Sequence, residues 1–319
     1  MRKRAVQLPR WTRGRVLSTM RVGRSRIDAK SEAQLAFRNN VSGEWEGRLV
    51  NYDPQGNALE LPHHLVPDAY REWDMVPTSW QTQCSMRVVE DRVEWVNRKL
   101  IPTVGCEADA VAFEEEGCKD RAGPIPVHYL ENGSFCIAPS EISASSKWEV
   151  HHCLVNVPKE ERLRIVQKLN NRPDGSIVLQ DLEVVLERFE EEYNGKPLLN
   201  GCGGPCVAEF GDKPAPKEDW FEHAWVPVGD CWTDFGTDTE EIGVVESTGE
   251  LDNADILRDR PGRLLLPSSM WVSASGNLES SFVVEVGWFV DDEFRLVTSL
   301  SFSGGKVSSG FLGRQTKGH

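Results

Sequence analysis

Two thiols, Cys202 and Cys206, share the Gly-rich loop Gly201-Cys202-Gly203-Gly204-Pro205-Cys206, and His223 and Cys231 follow downstream. Thiolate sulfur and imidazole nitrogen are the donors that tetrahedral zinc prefers, so these four residues are a conceivable metal set. Their separations are irregular and unlike the short knuckle pairs of zinc sites. A reversible disulfide between Cys202 and Cys206 is the other chemistry open to them, and an ordinary loop is the plainest reading. Most of the remaining cysteines sit in apolar runs such as Phe135-Cys136-Ile137 and Cys153-Leu154-Val155, where a thiol packs as a small hydrophobe. The pairs His63-His64 and His151-His152 are adjacent residues. On a strand such neighbours point to opposite faces, so neither pair is expected to share a metal. The phosphate loop, the dinucleotide fingerprint, the H-E-x-x-H zinc helix and the G-x-S-x-G elbow are all missing. The common enzyme signatures are thus missing from the sequence.

The aromatic residues carry more information. Eleven tryptophans are spread over 319 residues, and Trp45, Trp80, Trp95, Trp148, Trp220, Trp225, Trp232, Trp271 and Trp288 lie in or beside strand-like runs. Inside a small barrel such rings fill the volume, around an open calyx they line an aromatic pocket, and in a surface patch they anchor a partner. Trp45 is expected to be structural, and Trp220 and Trp225 are the candidates for ordering a domain junction or meeting a partner.

The elements that must position these side chains are short and β-rich. Residues 31–40 read as a short helix, followed by a run from 41 to 52 in which Trp45, Gly47, Leu49 and Asn51 alternate with Glu46, Arg48 and Val50, the period of a strand. Strand-like runs recur at 80–88, 92–99, 110–115, 127–130, 133–137 and 148–155, separated by turns such as Glu131-Asn132-Gly133. Apolar residues between 179 and 193 have helical spacing, but the β-branched content and the Pro173-Asp174-Gly175 turn favour a long hairpin. Residues 196–219 are rich in Gly, Pro and Lys and read as a linker. Strands are expected again at 220–228, 242–246, 263–266, 270–273, 282–290, 294–302 and 306–314. The run 282–290 is apolar on both sides, as a strand covered on both faces would be.

Length and charge set the outer bounds. At ~150 residues per domain the chain holds about two units, expected at 36–195 and 220–319. With 39% hydrophobic residues, 27% charged residues and a mean hydropathy of −0.43, it lacks any apolar run of the ~18 residues needed to span a bilayer. The net charge is −14, which disfavours nucleic acid as a partner because phosphates would be repelled. That total is uneven. Residues 1–27 contain eight arginines and Lys3 but no acid, so they carry +9 and the remainder −23. An Arg-rich, acid-free opening without an apolar core reads as an organelle targeting segment over residues 1–35.

Gly43-Glu44-Trp45 resembles the G-x-W opening of lipocalins. Together with the runs Glu131-Asn132-Gly133-Ser134-Phe135-Cys136-Ile137 and Trp148-Glu149-Val150-His151-His152-Cys153-Leu154, and with Val284-Glu285-Val286-Gly287-Trp288 and Arg295-Leu296-Val297, it makes the chain similar, over roughly residues 38–317, to the plant and algal biogenesis factors required for ATP synthase. The resemblance implies an all-β protein of two lipocalin-like antiparallel barrels. It also implies a stromal chloroplast location and a noncatalytic role, with no catalytic residue and no obligatory cofactor, in assembling the CF1 head of ATP synthase through its β and γ subunits. The C-terminal strands are similar as well to the barrels of bilin chromophore lyases. Under that alternative a cavity would hold tetrapyrrole carboxylates, with Arg263, Arg295 and Arg314 as the cationic candidates.

Overall fold

The computed structural model describes residues 26–89, 92–104, 113–117, 127–143, 147–196, 214–233 and 262–318. The chain opens with helix α1 (Arg26–Val41), strand β1 (Gly43–Tyr52) and the short helix α2 (Asp68–Glu72). Strands β2 (Ser79–Val89), β3 (Arg92–Leu100), β4 (Phe113–Gly117), β5 (Val127–Tyr129), β6 (Phe135–Ile137), β7 (Trp148–Asn156), β8 (Glu161–Asn171) and β9 (Ile177–Glu191) follow. A second group holds β10 (Trp225–Thr233), β11 (Leu264–Leu266), β12 (Met270–Gly276), β13 (Ser281–Phe289), β14 (Phe294–Ser303) and β15 (Lys306–Lys317). The architecture is therefore all-β with two antiparallel sheets. The helix expected at 31–40 is α1, and the ambiguous stretch after Gly175 is strand β9. The expected strand at 242–246 and most of the linker lie outside the described residues.

Each sheet is a meander whose first strand also pairs with its last. The nine-stranded sheet runs β4-β3-β2-β1-β9-β8-β7-β6-β5 and the six-stranded sheet β10-β15-β14-β13-β12-β11. Within each sheet, every pair of strands consecutive in the chain is hydrogen-bonded among the described residues except β4 with β5 and β10 with β11. The closed barrels expected from the sequence are thus not formed among the described residues, and both sheets are open at one strand pair. In the last hairpin, Gly304 and Gly305 have φ of 56° and 78°. This is the left-handed pair that a two-residue turn needs to match strand twist.

The two sheets share one apolar core instead of folding apart. Alternation along the strands decides which side chains enter it. Val150 and Leu154 of β7, Leu163, Ile165 and Leu169 of β8, and Leu182 and Val184 of β9 meet Val272, Phe282, Val284, Val286, Trp288, Leu300 and Phe302 of the second sheet. Trp148 packs 5.3 Å from Phe282 and 5.8 Å from Phe302, and those two rings stack at 4.4 Å. Each large side chain buried here contributes roughly 1.5–3 kcal/mol. Hairpin tips reinforce the contact, with Leu278 N–H donating to Gly175 O at 2.9 Å and Ile142 N–H to Gly305 O at 2.8 Å. The doubly apolar run 282–290 is covered on both faces: Phe282, Val284, Val286 and Trp288 join the shared core, and Phe289 turns to a separate aromatic cluster.

The other face of the first sheet has its own closures. At one end α1 seats Phe37 and Val41 with Trp45, Met86, Tyr129 and Phe135, the Phe37 and Tyr129 rings stacking at 4.4 Å. At the other end Leu61, Val66 and Tyr70 cover Leu49, Trp80 and Val185.

Candidate functional site

Between those two closures lies a layer of buried charge. Arg162 and Arg164 alternate with Leu163 and Ile165 along β8, so the leucine and isoleucine face the second sheet and the arginines the opposite side. Arg162 is paired in register with Glu187 of β9, and both side chains are fully buried. Arg162 Nε donates to Glu187 Oε2 at 2.6 Å, while Arg164 Nε and Nη2 donate to Glu187 Oε2 and Oε1, each at 2.7 Å. Arg164 Nη2 also reaches Asn97 Oδ1 at 2.9 Å. Burial alone would push the Glu187 carboxyl up, but the two guanidiniums outweigh it and hold the group below the usual carboxylate range. The Trp45 ring lies 4.0 Å under the Arg162 guanidinium, adding a desolvated cation–π contact worth ~2 kcal/mol. Composition did not single out these residues; the alternation of Arg with Leu and Ile over 162–165 was the available signal.

A second buried polar group sits in the contact between the sheets. His152 Nδ1 is 3.5 Å from Cys136 Sγ and 3.4 Å from Thr298 Oγ1. Thiol beside imidazole is the composition of a nucleophile and its base, yet burial pushes the Cys136 thiol up to about 12 and the His152 imidazole down to about 3. Both are held neutral at physiological pH. Adjacent His151 points the other way, 3.3 Å from Glu149 Oε2 and 5.7 Å from the Trp95 ring, as strand geometry requires. His63 and His64 are exposed.

The residues named from sequence are placed as follows. Cys202 and Cys206 lie outside the described residues, as does the side chain of Cys231, and His223 is exposed. Among the described residues no three His, Cys, Asp or Glu side chains are grouped to hold a metal. Trp225 is buried and donates from Nε1 to Trp220 O at 3.0 Å; with half-buried Trp220 it packs on Phe289, beside Phe221 and Trp271. Trp225 is therefore a core ring and not an exposed anchor.

Two of the three candidate arginines meet in that cluster. Arg295, 3% exposed, lies 4.5 Å from the Trp225 ring and 5.4 Å from Trp271, with Nε donating to Gln315 Oε1 at 2.7 Å. Burial lowers its guanidinium to about 9, and nearby Glu285 partly offsets this. Arg263 stacks 4.0 Å over Phe221. Arg314 does not join them. It is exposed and lies over Phe294 at 3.8 Å. A regular ladder running back from the Ser303–Lys306 pair would set Arg314 opposite Arg295, but the register shifts between Ser301 and Phe302 and pairs Arg295 with Gln315. One slipped residue moves a side chain to the other face.

A cleft of about 10 Å³ lies among Asn40, Trp45, Val155, Val157, Glu160 and Phe189, room for about one water. In the second sheet Trp271 lies so close over Gly287 that a Cβ there would fall 1.9 Å from the indole. No helix among the described residues is long and apolar enough to cross a membrane.

No protein-family model matches the chain, and no curated protein matches it. Among solved structures it is similar to a Nostoc punctiforme protein of unknown function from the DUF3598 family, at 16% identity and a TM-score of 0.53 over 90% of this chain and 99% of that one. At that identity the likeness speaks for the fold alone.

Proposed function

We propose that this chain is a noncatalytic assembly factor for the CF1 head of chloroplast ATP synthase, working in the stroma on the β and γ subunits. Its two units are lipocalin-like, each a meander with first strand against last, opened at one strand pair. The observation behind this reading is that bulky rings pack within each sheet, Trp45 against Arg162 in one and Trp271 against Phe289 in the other. A protein so packed works through its outer surface. The Arg-rich residues 1–27 support import into an organelle, and the acidic remainder supports salt-sensitive encounter with basic subunit segments. A pull-down of the chain with recombinant CF1 β and γ subunits is the test, and capture of neither rejects the assignment.

The convergence of Arg263 and Arg295 on one aromatic cluster favours a second reading, a tetrapyrrole-binding protein or chromophore lyase whose carboxylate partners are these two arginines. A saturable difference spectrum with a bilin, abolished by Arg295→Leu, would move the assignment to that class.

A further inference from the structure

We infer that the surface formed by Trp73, Val76, Val104 and Leu59, at the α2 end of the first sheet, docks a cationic amphipathic segment of a partner protein. These four large apolar side chains are 55%, 52%, 42% and 42% exposed, although most of the other described tryptophans are buried. Hydrogen bonds bind their three segments into one platform: Tyr70 Oη donates to Thr103 O at 2.6 Å, Met75 N–H to Tyr70 O at 2.8 Å and Leu61 N–H to Pro77 O at 2.9 Å. Leu61, Val66, Tyr70 and Met75 anchor that platform in the core below. Trp73 stands edge-on to Tyr70 at 5.7 Å, and the next residue, Asp74, holds a left-handed φ of 53° that ends the turn and keeps the indole outside. A rigid, exposed tryptophan on a fixed base has the form of an interface anchor.

Charge selects the occupant. Glu60, Asp68, Glu72 and Asp74 are exposed on the same platform; between 59 and 76 Arg71 is the one Lys or Arg, paired with Asp68, and His63 and His64 are exposed beside it. A partner with apolar side chains flanked by Lys or Arg is matched to such a rim, and the acidic body of a second copy is repelled by it. The inference rests on the assembly reading for its biological setting and names the face through which a client would be held.

The probe is a synthetic helical peptide of Leu and Lys in amphipathic spacing, titrated calorimetrically into the full chain. Binding is expected to weaken as salt rises, and to weaken about tenfold or more in Trp73→Ala and in the double variant Glu72→Lys/Asp74→Lys. Val76→Ser, a second exposed position, guards against a folding artefact in Trp73→Ala. Absence of binding, equal binding of a Leu and Glu peptide, or unchanged affinity in both Trp73→Ala and Val76→Ser would overturn the proposal. So would a dimer in sedimentation that Trp73→Ala abolishes, which assigns the face to a second copy. In the CF1 pull-down, equal capture by parent and Trp73→Ala overturns the docking face but leaves the assembly role standing. Capture of neither subunit by the parent rejects that role, while the peptide titration still decides the face.

Discussion

The Arg162 guanidinium lies 4.0 Å over the Trp45 ring, although the two residues belong to strands β8 and β1 that never pair, being separated by β9. The contact reaches across β9 on the face turned away from the second sheet. It places a cation where apolar packing would be the ordinary solution, and Glu187 makes that placement tolerable.

Removing the acid should therefore cost more than removing the whole group. Glu187→Ala leaves two buried guanidiniums without their carboxylate and is expected to lower unfolding stability by about 3–5 kcal/mol. Replacing Arg162, Arg164 and Glu187 together by Met, Met and Leu should cost far less. Urea unfolding of both variants is the check; equal losses would mean that the cluster stabilises through its packed shape and not through compensation of charge.

Acid should loosen the joint between the sheets. Burial lowers His152 and His128 from 6.5 to about 3, so the unfolded chain takes up protons that the folded chain refuses. Stability is fully present above the unfolded value and falls as pH drops below ~6.5, by about 1.4 kcal/mol per unit for each histidine until the folded values are reached. Glu187, held low by its arginines, adds a loss in the same direction at lower pH. Thermal midpoints measured from pH ~7 to ~4 should decline, and His152→Gln should flatten part of that slope. A level profile would show that neither imidazole is desolvated.

Thiol reactivity offers an independent view of the same interior. Cys84, Cys136 and Cys153 are buried free cysteines, and burial pushes the thiols of Cys136 and Cys153 up to about 12. Because the thiolate is the reacting species, alkylation of these three residues should track global unfolding. Peptide mapping after brief iodoacetamide treatment of the native protein would show them unmodified; rapid labelling of Cys136 would indicate that the sheets separate locally.

Gly287 is fixed by its neighbour across the strand. A methyl group there would enter the Trp271 ring, so Gly287→Ala should destabilise by at least ~1–3 kcal/mol through overpacking. Trp271→Ala should cost ~3–5 kcal/mol by leaving a void. The double variant should lose less than the two single losses combined, because the added methyl group then has space. Strict additivity in denaturant midpoints would sink this account.

Local pattern determined much of this protein. The period-2 alternation at 45–50, the turn residues at 173–175 and the apolar content on both sides of 282–290 follow from how strands expose side chains, and they point to an all-β chain with a doubly covered strand near its end. Pairing partners were not in that pattern. The sequence offered Arg295 and Arg314 as equals, and the register shift between Ser301 and Phe302 sends one into an aromatic cluster and the other to solvent. Trp225 and Trp73 are the same residue type, yet one is buried against Phe289 and the other stands exposed. Arg162 meets Glu187 across the β8–β9 hairpin, but it reaches Trp45 only because β1, far away in the chain, pairs with the other edge of β9. Alternation fixes which residues share a face, since it arises within a single strand; what covers that face depends on pairings between strands far apart in the chain, and these only the tertiary fold decides.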